Sequence, residues 1–174
     1  QLFRDLGVQQ IVSGGQTMNP STEDILHAAE QVPAMDVYVL PNNKNIVMAA
    51  EQAARLARTS GVRRIHVVPT TTIPQGISAM MAYDESAEIK DNVEAMQEAA
   101  SRGQSGSVTF AARDSDYDGH QIKEGELLAL ENGKVAFTGT DLGSVTAKVA
   151  KDLMQEDSQF ITLLYGADVS EEQA

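Results

Sequence analysis

The chain has 174 residues, 42% of them hydrophobic, so it can bury a core of its own as one domain or as two small ones. It contains no cysteine, which excludes disulfides, thiolate metal sites and a cysteine nucleophile, and we expect a protein of the reducing cytoplasm. Its formal net charge of −12 argues against binding to nucleic acid or to an anionic membrane, because both need a basic patch.

The acidity and the ends of the chain carry further information. Residues 1–103 have a net charge of −4 and residues 104–174 a net charge of −8, so the second part is the more acidic. No apolar run of about 18 residues and no signal peptide is present, so no transmembrane segment is expected. The sequence does not begin with Met, and Ser170 and Gln173 announce a helix that the chain does not contain, so we expect a piece of a longer protein.

Residues 1–103 alternate short apolar runs with helical patterns. Strands are predicted at Gln10–Val12, Val37–Leu40 and Arg64–Val68. Helices are predicted from Ser21 to about Gln31, from Asn45 to Ala57, from Gly76 to Tyr83 and from Ser86 to Arg102. This alternation favours right-handed βαβ units, and we expect a three-layer α/β (sub)domain with a parallel sheet covered on both faces.

The pattern changes after Gly103–Ser107, which is the best candidate for a linker. The elements predicted there are a strand at Ser107–Arg113, two strands within Leu127–Thr138, a helix from Asp141 to about Met154 and a strand at Phe160–Tyr165. The two central strands meet at Asn132-Gly133, a dipeptide typical of a two-residue hairpin. We therefore expect residues 104–174 to form a smaller α+β part with an antiparallel hairpin.

Three polar loops follow the three predicted strands of residues 1–103. Parallel topology places them at one edge of the sheet, where open α/β sheets bind ligands. The loops, Ser13–Ser21, Pro41–Asn45 and Pro69–Gly76, contain no His, Cys, Asp or Glu, so they are suited to hold a ligand or partner and not to transfer protons. We assign no catalytic residue and no metal ligand. The candidate binding residues are Gly14, Gly15, Gln16, Thr17, Asn19, Asn42, Asn43, Lys44, Asn45, Thr70, Thr72 and Gln75.

The first and second loops also have a purely structural interpretation. The Gly14-Gly15 pair before a helix is typical of an anion site and equally of a tight β–α turn, and it matches neither the Walker spacing nor G-x-G-x-x-G. The segment Asn42–Asn45 offers three amides and one cation, which can orient a phosphate, a carboxylate or a partner's backbone, yet asparagine is also common in turns and helix caps. Lys44 is the only charged residue in the three loops.

Two further patterns suggest metal or acid–base chemistry. Asp114–Gly119 is similar to the start of an EF-hand loop, but Gly125 stands at the twelfth position, where calcium binding requires Glu, so an acidic surface turn is favoured. His27, His66 and His120 share no local motif with a second ligand or with a nucleophile, which leaves metal and Ser-His-Asp sites unsupported.

The loops together resemble the C-terminal region of the bacterial fatty acid kinase A family (FakA or YloV type). Such proteins are also labelled dihydroxyacetone kinase-related or DAK phosphatase domain proteins. The resemblance covers nearly the whole chain. The residues that carry it are Gly14–Asp24, Leu40–Ile46, Val67–Thr70, Ile73–Gly76, Ala112-Arg113, Asp118-Gly119, Ile122–Glu126 and Asn132–Val135.

The resemblance implies a DegV and dihydroxyacetone kinase-like α/β fold. It also implies that ATP and magnesium bind an N-terminal domain outside this chain and that no cofactor binds this fragment. In such proteins a middle domain is linked to dimerisation. The C-terminal region is associated with docking a DegV-like acyl-binding subunit, whose fatty acid is phosphorylated to acyl phosphate for phospholipid synthesis. The expected partners are therefore this acyl-binding protein and other domains of the same polypeptide, with a homodimer formed through the full-length protein.

One position departs from the family pattern. Thr71 stands where the family often has Lys, which removes a cation from the third loop and weakens a direct phosphate-binding role. The leading hypothesis is a docking domain of a fatty acid kinase that has no turnover of its own. The alternative is a phosphate or small-molecule binding domain of a dihydroxyacetone (glycerone) kinase-like protein, which would use Gly14, Gly15, Thr17 and Lys44.

Overall fold

The computed structural model describes residues 2–14, 19–117, 120–156, 158–166 and 169–174. The polypeptide forms two compact units, Gln1–Ser105 (unit 1) and Gly106–Ala174 (unit 2). Each unit has its own buried apolar residues, and the fold class is mixed α/β, as predicted.

Unit 1 consists mainly of helices around a pair of strands. Its elements are α1 (Leu2–Asp5), α2 (Thr22–Gln31), β1 (Asp36–Val39), α3 (Lys44–Ser60), β2 (Arg64–Val67), α4 (Ile73–Met81) and α5 (Ile89–Arg102). Apart from the short α1, each of them overlaps an element predicted from the sequence.

Local polar groups determine where the helices begin and end. Ser21 caps α2 through a complete capping box, because its Oγ accepts the Asp24 N–H at 3.1 Å and the Asp24 carboxylate accepts the Ser21 N–H at 2.8 Å. Gly61 ends α3 with a φ of 70°, in the left-handed region that favours glycine. Helix α5 starts three residues later than predicted, because the Ser86 N–H donates to the Asp84 carboxylate at 2.8 Å and forms a turn there.

The strands β1 and β2 pair in parallel, with Asp36 opposite Arg64 and Val39 opposite Val67. Their side chains alternate between two faces, and each face has its own core. The core shared with α2 and α3 comprises Ile25, Ala29, Val32, Val37, Ala50, Ala53, Ala57 and Ile65. The core shared with α4 and α5 comprises Val68, Ala79, Met96 and Ala100. The small alanines of α3 let that helix approach the strands closely.

The predicted first strand, Gln10–Val12, is wrong. Residues 8–14 form no strand, and Ile11 is 50% exposed. The N-terminal segment instead folds back: the Val8 N–H donates to the Phe3 carbonyl at 2.9 Å, and the Phe3 ring lies where a Cβ on Gly76 would be 3.2 Å away. In the described residues the parallel sheet therefore has two strands, and the larger parallel sheet of the prediction is not seen.

Unit 2 contains the predicted antiparallel part. Its elements are β3 (Gly106–Phe110), β4 (Ser115–Tyr117), β5 (His120–Ile122), β6 (Leu127–Glu131), β7 (Lys134–Gly139) and α6 (Leu142–Leu153). Strands β3, β6 and β7 form an antiparallel sheet in that order, and β4 pairs with β5. The predicted hairpin turn is confirmed, because Asn132 and Gly133 have φ of 49° and 79°, the pair of positive values that a type I′ turn needs.

Helix α6 packs on the three-stranded sheet through a small apolar core. Asp141 caps it, accepting the Ser144 N–H at 2.8 Å. The buried residues of this core are Leu127, Ala129, Val145 and Val149. Glycines allow the close approach: a Cβ on Gly106 would lie 2.3 Å from Val149, and a Cβ on Gly139 would lie 2.4 Å from Val145.

The predicted strand Phe160–Tyr165 is wrong as well. Residues 158–166 form no helix or strand. Its apolar side chains are exposed, from 42% for Leu164 to 89% for Phe160. The alternation and β propensity of the run are real, but a strand also needs a paired edge, and this segment has none among the described residues.

The acidic turn that is similar to an EF-hand lies at the β4–β5 hairpin. Asp118 and Gly119 fall outside the described residues. The Asp114 carboxylate accepts the Glu124 N–H at 2.7 Å and so serves the local turn. Among the residues described, no group of three His, Cys, Asp or Glu side chains is placed to hold a metal ion.

None of the described helices combines the length and the apolar character that a membrane span requires.

Candidate functional site

The loops that follow β1 and β2 meet, as parallel topology predicts. Thr70, in the third predicted loop, is only 1% exposed. Its hydroxyl donates to the carbonyl of Pro41, in the second predicted loop, at 2.5 Å. Because both groups are withdrawn from water, this bond fixes the two loops against each other.

Replacing Thr70 with valine is expected to lower the free energy of unfolding by about 1–2 kcal/mol, because the buried Pro41 carbonyl then loses its donor. Valine keeps the shape of the side chain, so the effect reports the hydrogen bond and not a cavity. Urea unfolding followed by circular dichroism measures it. Thr70→Ser, which keeps the hydroxyl, should recover part of the loss, and equal stability of the valine and wild-type proteins would contradict this role.

Several predicted site residues act as helix caps. The Asn43 side chain accepts the Asn45 N–H at 2.9 Å at the start of α3. The Thr72 hydroxyl accepts the Gln75 N–H at 3.3 Å at the start of α4. The helix-cap interpretation of the second loop is therefore correct for Asn43, and Thr72 caps α4 in the same way. Capping uses one oxygen of each side chain and leaves the Asn43 amide NH₂ group for other partners.

A polar strip of the second loop faces outward. Asn42, Asn43, Lys44 and Asn45 are all exposed. Lys44 is the first residue of α3, where the positive end of the helix dipole disfavours a cation, so its charge does not stabilise the helix. Amides and one ammonium group can bind carboxylates, phosphates or backbone carbonyls.

The first predicted loop is placed only in part. Gly15, Gln16 and Thr17 fall outside the described residues. Gly14 is half-buried and Asn19 is exposed, and neither lies in a helix or strand. The structure thus brings the second and third loops together and leaves the proposed role of the first loop a prediction.

A charged cluster at the opposite end of the two strands was missed from the sequence. The Arg64 guanidinium donates twice to the Asp36 carboxylate, from Nε at 2.7 Å and from Nη2 at 2.5 Å. The Nε2 atom of His66 lies 2.8 Å from the same carboxylate. Asp36 and Arg64 are the first residues of β1 and β2 and lie opposite each other. The opposite charges at the starts of two neighbouring parallel strands are the sequence signal that could have indicated this pair.

The cluster of Asp36, Arg64 and His66 holds charged groups together but contains no nucleophile. In the part of the chain that the structure describes, His66 contacts no Ser or Thr hydroxyl, so a Ser-His-Asp arrangement is absent there. The guanidinium of Arg64, with a further contribution from His66, holds the pKa of Asp36 well below its usual range. The ring centroids of Tyr38 and His66 lie 5.6 Å apart. Burial raises the pKa of the Tyr38 hydroxyl.

The lowered pKa of Asp36 makes the free energy of unfolding depend on pH in the acidic range. The folded state binds this proton more weakly than the unfolded state, so the contribution is present above pH about 4 and is lost as pH falls below it. We expect Asp36→Asn to cost about 1 kcal/mol at pH 7, because Arg64 is largely exposed, and to make the acid loss shallower. Unfolding midpoints from pH 7 to pH 3 measure this, and parallel curves for the two proteins would refute it.

The comparisons with known proteins agree with the resemblance seen in the loops. The model of the FakA-like C-terminal family, the C-terminal part of fatty acid kinase A-like proteins, matches residues 1–174. The chain belongs to this family. YloV of Bacillus subtilis is 40% identical over 173 residues, which are 99% of this chain and 31% of that protein. An uncharacterised protein of Staphylococcus haemolyticus is 42% identical over 99% of this chain and 30% of its own length.

This FakA-like C-terminal domain thus spans about 30% of the length of the curated relatives it matches. Within it, Thr71 has a local structural role. The Thr71 N–H and hydroxyl both donate to the Gln75 side-chain oxygen, at 2.8 Å and 3.0 Å. Thr71 therefore braces the third loop from within.

Proposed function

We propose that this chain is the docking domain of a longer cytoplasmic fatty acid kinase and that it holds a DegV-like acyl-binding protein. ATP and magnesium bind a domain outside this chain, which phosphorylates the bound fatty acid to acyl phosphate for phospholipid synthesis. Family membership supports the assignment to a fatty acid kinase, and the 30% span supports further domains.

The observation that carries the docking role is the outward polar strip of the second loop. Asn42, Asn43, Lys44 and Asn45 are exposed on a loop that the buried bond between Thr70 and Pro41 holds in place. A preorganised surface of this kind loses little conformational entropy on binding. The three loops contain no carboxylate, which suits recognition of a partner better than catalysis or magnesium binding.

The proposal extends to the fold and the assembly. Two cores on opposite faces of the parallel strands support a three-layer, DegV and dihydroxyacetone kinase-like plan for unit 1. Dimerisation belongs to another domain of the full-length protein.

Titration calorimetry with the purified acyl-binding protein tests the docking role. We expect binding to the wild-type chain and roughly tenfold weaker binding to Lys44→Glu, since the reversed charge repels the group that Lys44 contacts. Lys151→Glu, on the exposed surface of α6, is the matched control and should bind as the wild type does. Absence of binding heat with the wild-type chain would contradict the docking role. Equal affinity of the Lys44→Glu and Lys151→Glu variants would show that the partner binds a surface other than the second loop.

Lys44 at the start of α3 also favours a second candidate, a phosphate or small-molecule site. A thermal-shift series with inorganic phosphate, ATP and a fatty acid separates the two. A ligand at about 100 times its dissociation constant adds roughly 2.7 kcal/mol of stability, which raises the midpoint measurably. No shift with any of the three would eliminate this candidate.

A further inference from the structure

The second strand of unit 1 has an open edge. β2 pairs with β1 along one edge, and among the described residues no strand pairs with its other edge. The N–H groups of Arg64 and Val68 both donate towards the β1 side. Alternate residues of a parallel strand face alternate neighbours, so the backbone N–H and C=O groups of Ile65 and Val67 point outward from the sheet.

Two concavities follow this edge and form one groove. A concavity of about 370 Å³ lies on the α3 side and is lined by Arg55 and Arg58, among others. A larger one of about 650 Å³ lies on the α5 side, where Ile89 and Val93 line it together with Glu88, Lys90 and Glu94, so this wall is not basic. Both are lined by His66 and Val93, so they adjoin each other, and we call them together the edge groove.

The α3 wall of the edge groove is the basic region of an acidic chain. Residues 52–83 contain four arginines and no Asp or Glu, although the net charge of the chain is −12. In the described part of the protein Arg58 has no hydrogen bond or ion pair, and Arg55 donates to Gln52 of its own helix. Glu51 also lines this wall but leaves it net positive. The two guanidiniums are therefore available to carboxylates from outside.

We propose that the edge groove binds an extended acidic segment of a partner protein, which adds to β2 as a third strand. Successive side chains of a strand point to opposite faces. A segment that alternates Glu with Val places its carboxylates towards Arg55 and Arg58 and its apolar groups towards Ile89 and Val93. Main-chain hydrogen bonds to β2 provide affinity, and the alternating side chains provide specificity.

Nuclear magnetic resonance with two synthetic peptides tests the proposal without any need for the acyl-binding protein. One peptide alternates valine with glutamate over seven residues, and the other alternates valine with lysine. We expect the glutamate peptide to bind roughly tenfold more tightly, because two exposed ion pairs distinguish the peptides. Amide exchange at Ile65 and Val67 should slow on binding, which a contact through side chains alone would not produce.

Two variants locate the interaction. Arg55→Glu with Arg58→Glu should reverse the preference, so that the lysine peptide binds more tightly. Lys151→Glu, on the exposed surface of α6, makes the same kind of charge reversal away from the groove and should change neither affinity. No binding of either peptide, binding without slower exchange at Ile65 and Val67, or an unchanged preference in the double variant each overturn the proposal.

Discussion

Replacing Gly106 with alanine is expected to destabilise unit 2 by about 3 kcal/mol while unit 1 keeps its stability. The new Cβ would lie 2.3 Å from Val149 Cγ1 and 2.8 Å from Leu153 Cδ1, so α6 must move away from β3. Val149 cannot relieve the overlap by rotation, because a β-branched side chain in a helix has essentially one rotamer. Amide exchange in a urea series measures the effect, with α6 reporting on unit 2 and α3 on unit 1.

The matched control for this substitution lies in α6 itself. A Cβ on Gly143 would meet nothing closer than 3.8 Å, so Gly143→Ala should stabilise the helix by about 0.5–1 kcal/mol. Val149→Ala removes the methyl groups that the alanine at position 106 strikes. The Gly106→Ala/Val149→Ala double variant should therefore lose less unfolding free energy than the two single variants together, by about 1 kcal/mol or more. Additive losses would show that close packing of α6 does not require Gly106.

Replacing Met96 with alanine is expected to cost about 3 kcal/mol in unit 1, because it leaves a cavity where a fully buried side chain stood. Met96 has no exposed surface and joins α5 to Val68 and Ala79. Urea unfolding measured from α3 amides gives the change. Since α5 forms one wall of the edge groove, the same variant should also weaken binding of the glutamate peptide.

Two controls make this prediction specific to burial. Met81→Ala removes a side chain that is 76% exposed, so it should change stability by less than about 0.5 kcal/mol. Met96→Leu keeps most of the volume and should cost less than about 1.5 kcal/mol. A loss at Met81 as large as that at Met96 would mean that the core of α4 and α5 is not arranged as described.

Elements with local signals were predictable from the sequence. The helix that begins after Ser21, the strand patterns of β1 and β2 and the Asn132-Gly133 turn each depend on neighbours within a few residues, and all three formed. The strand predictions at Gln10–Val12 and Phe160–Tyr165 were wrong. An apolar run shows that a segment favours the extended conformation, but it does not show that another strand is available to pair with it. Pairing is a property of the whole fold.

The candidate site divides in the same way. The second and third loops converge because the strands before them are parallel. The hydrogen bond from Thr70 to the Pro41 carbonyl is the contact that joins them. The cluster of Asp36, Arg64 and His66 joins residues about 30 positions apart and required the strand register. Helix caps compete with ligands for the same Asn and Thr side chains, so sequence alone could not separate the two uses.

The exposed segment Phe160–Tyr165 has a practical consequence for the purified chain. Six consecutive uncharged, β-prone residues without proline are the signature of a nucleus for cross-β assembly. Acidic residues flank it, with Glu156 and Asp157 before and Asp168 after, and such charges act as gatekeepers. Their repulsion weakens in strong salt and vanishes as carboxylates are protonated. Concentrated solutions should therefore form fibrils first in acid, beginning at these six residues.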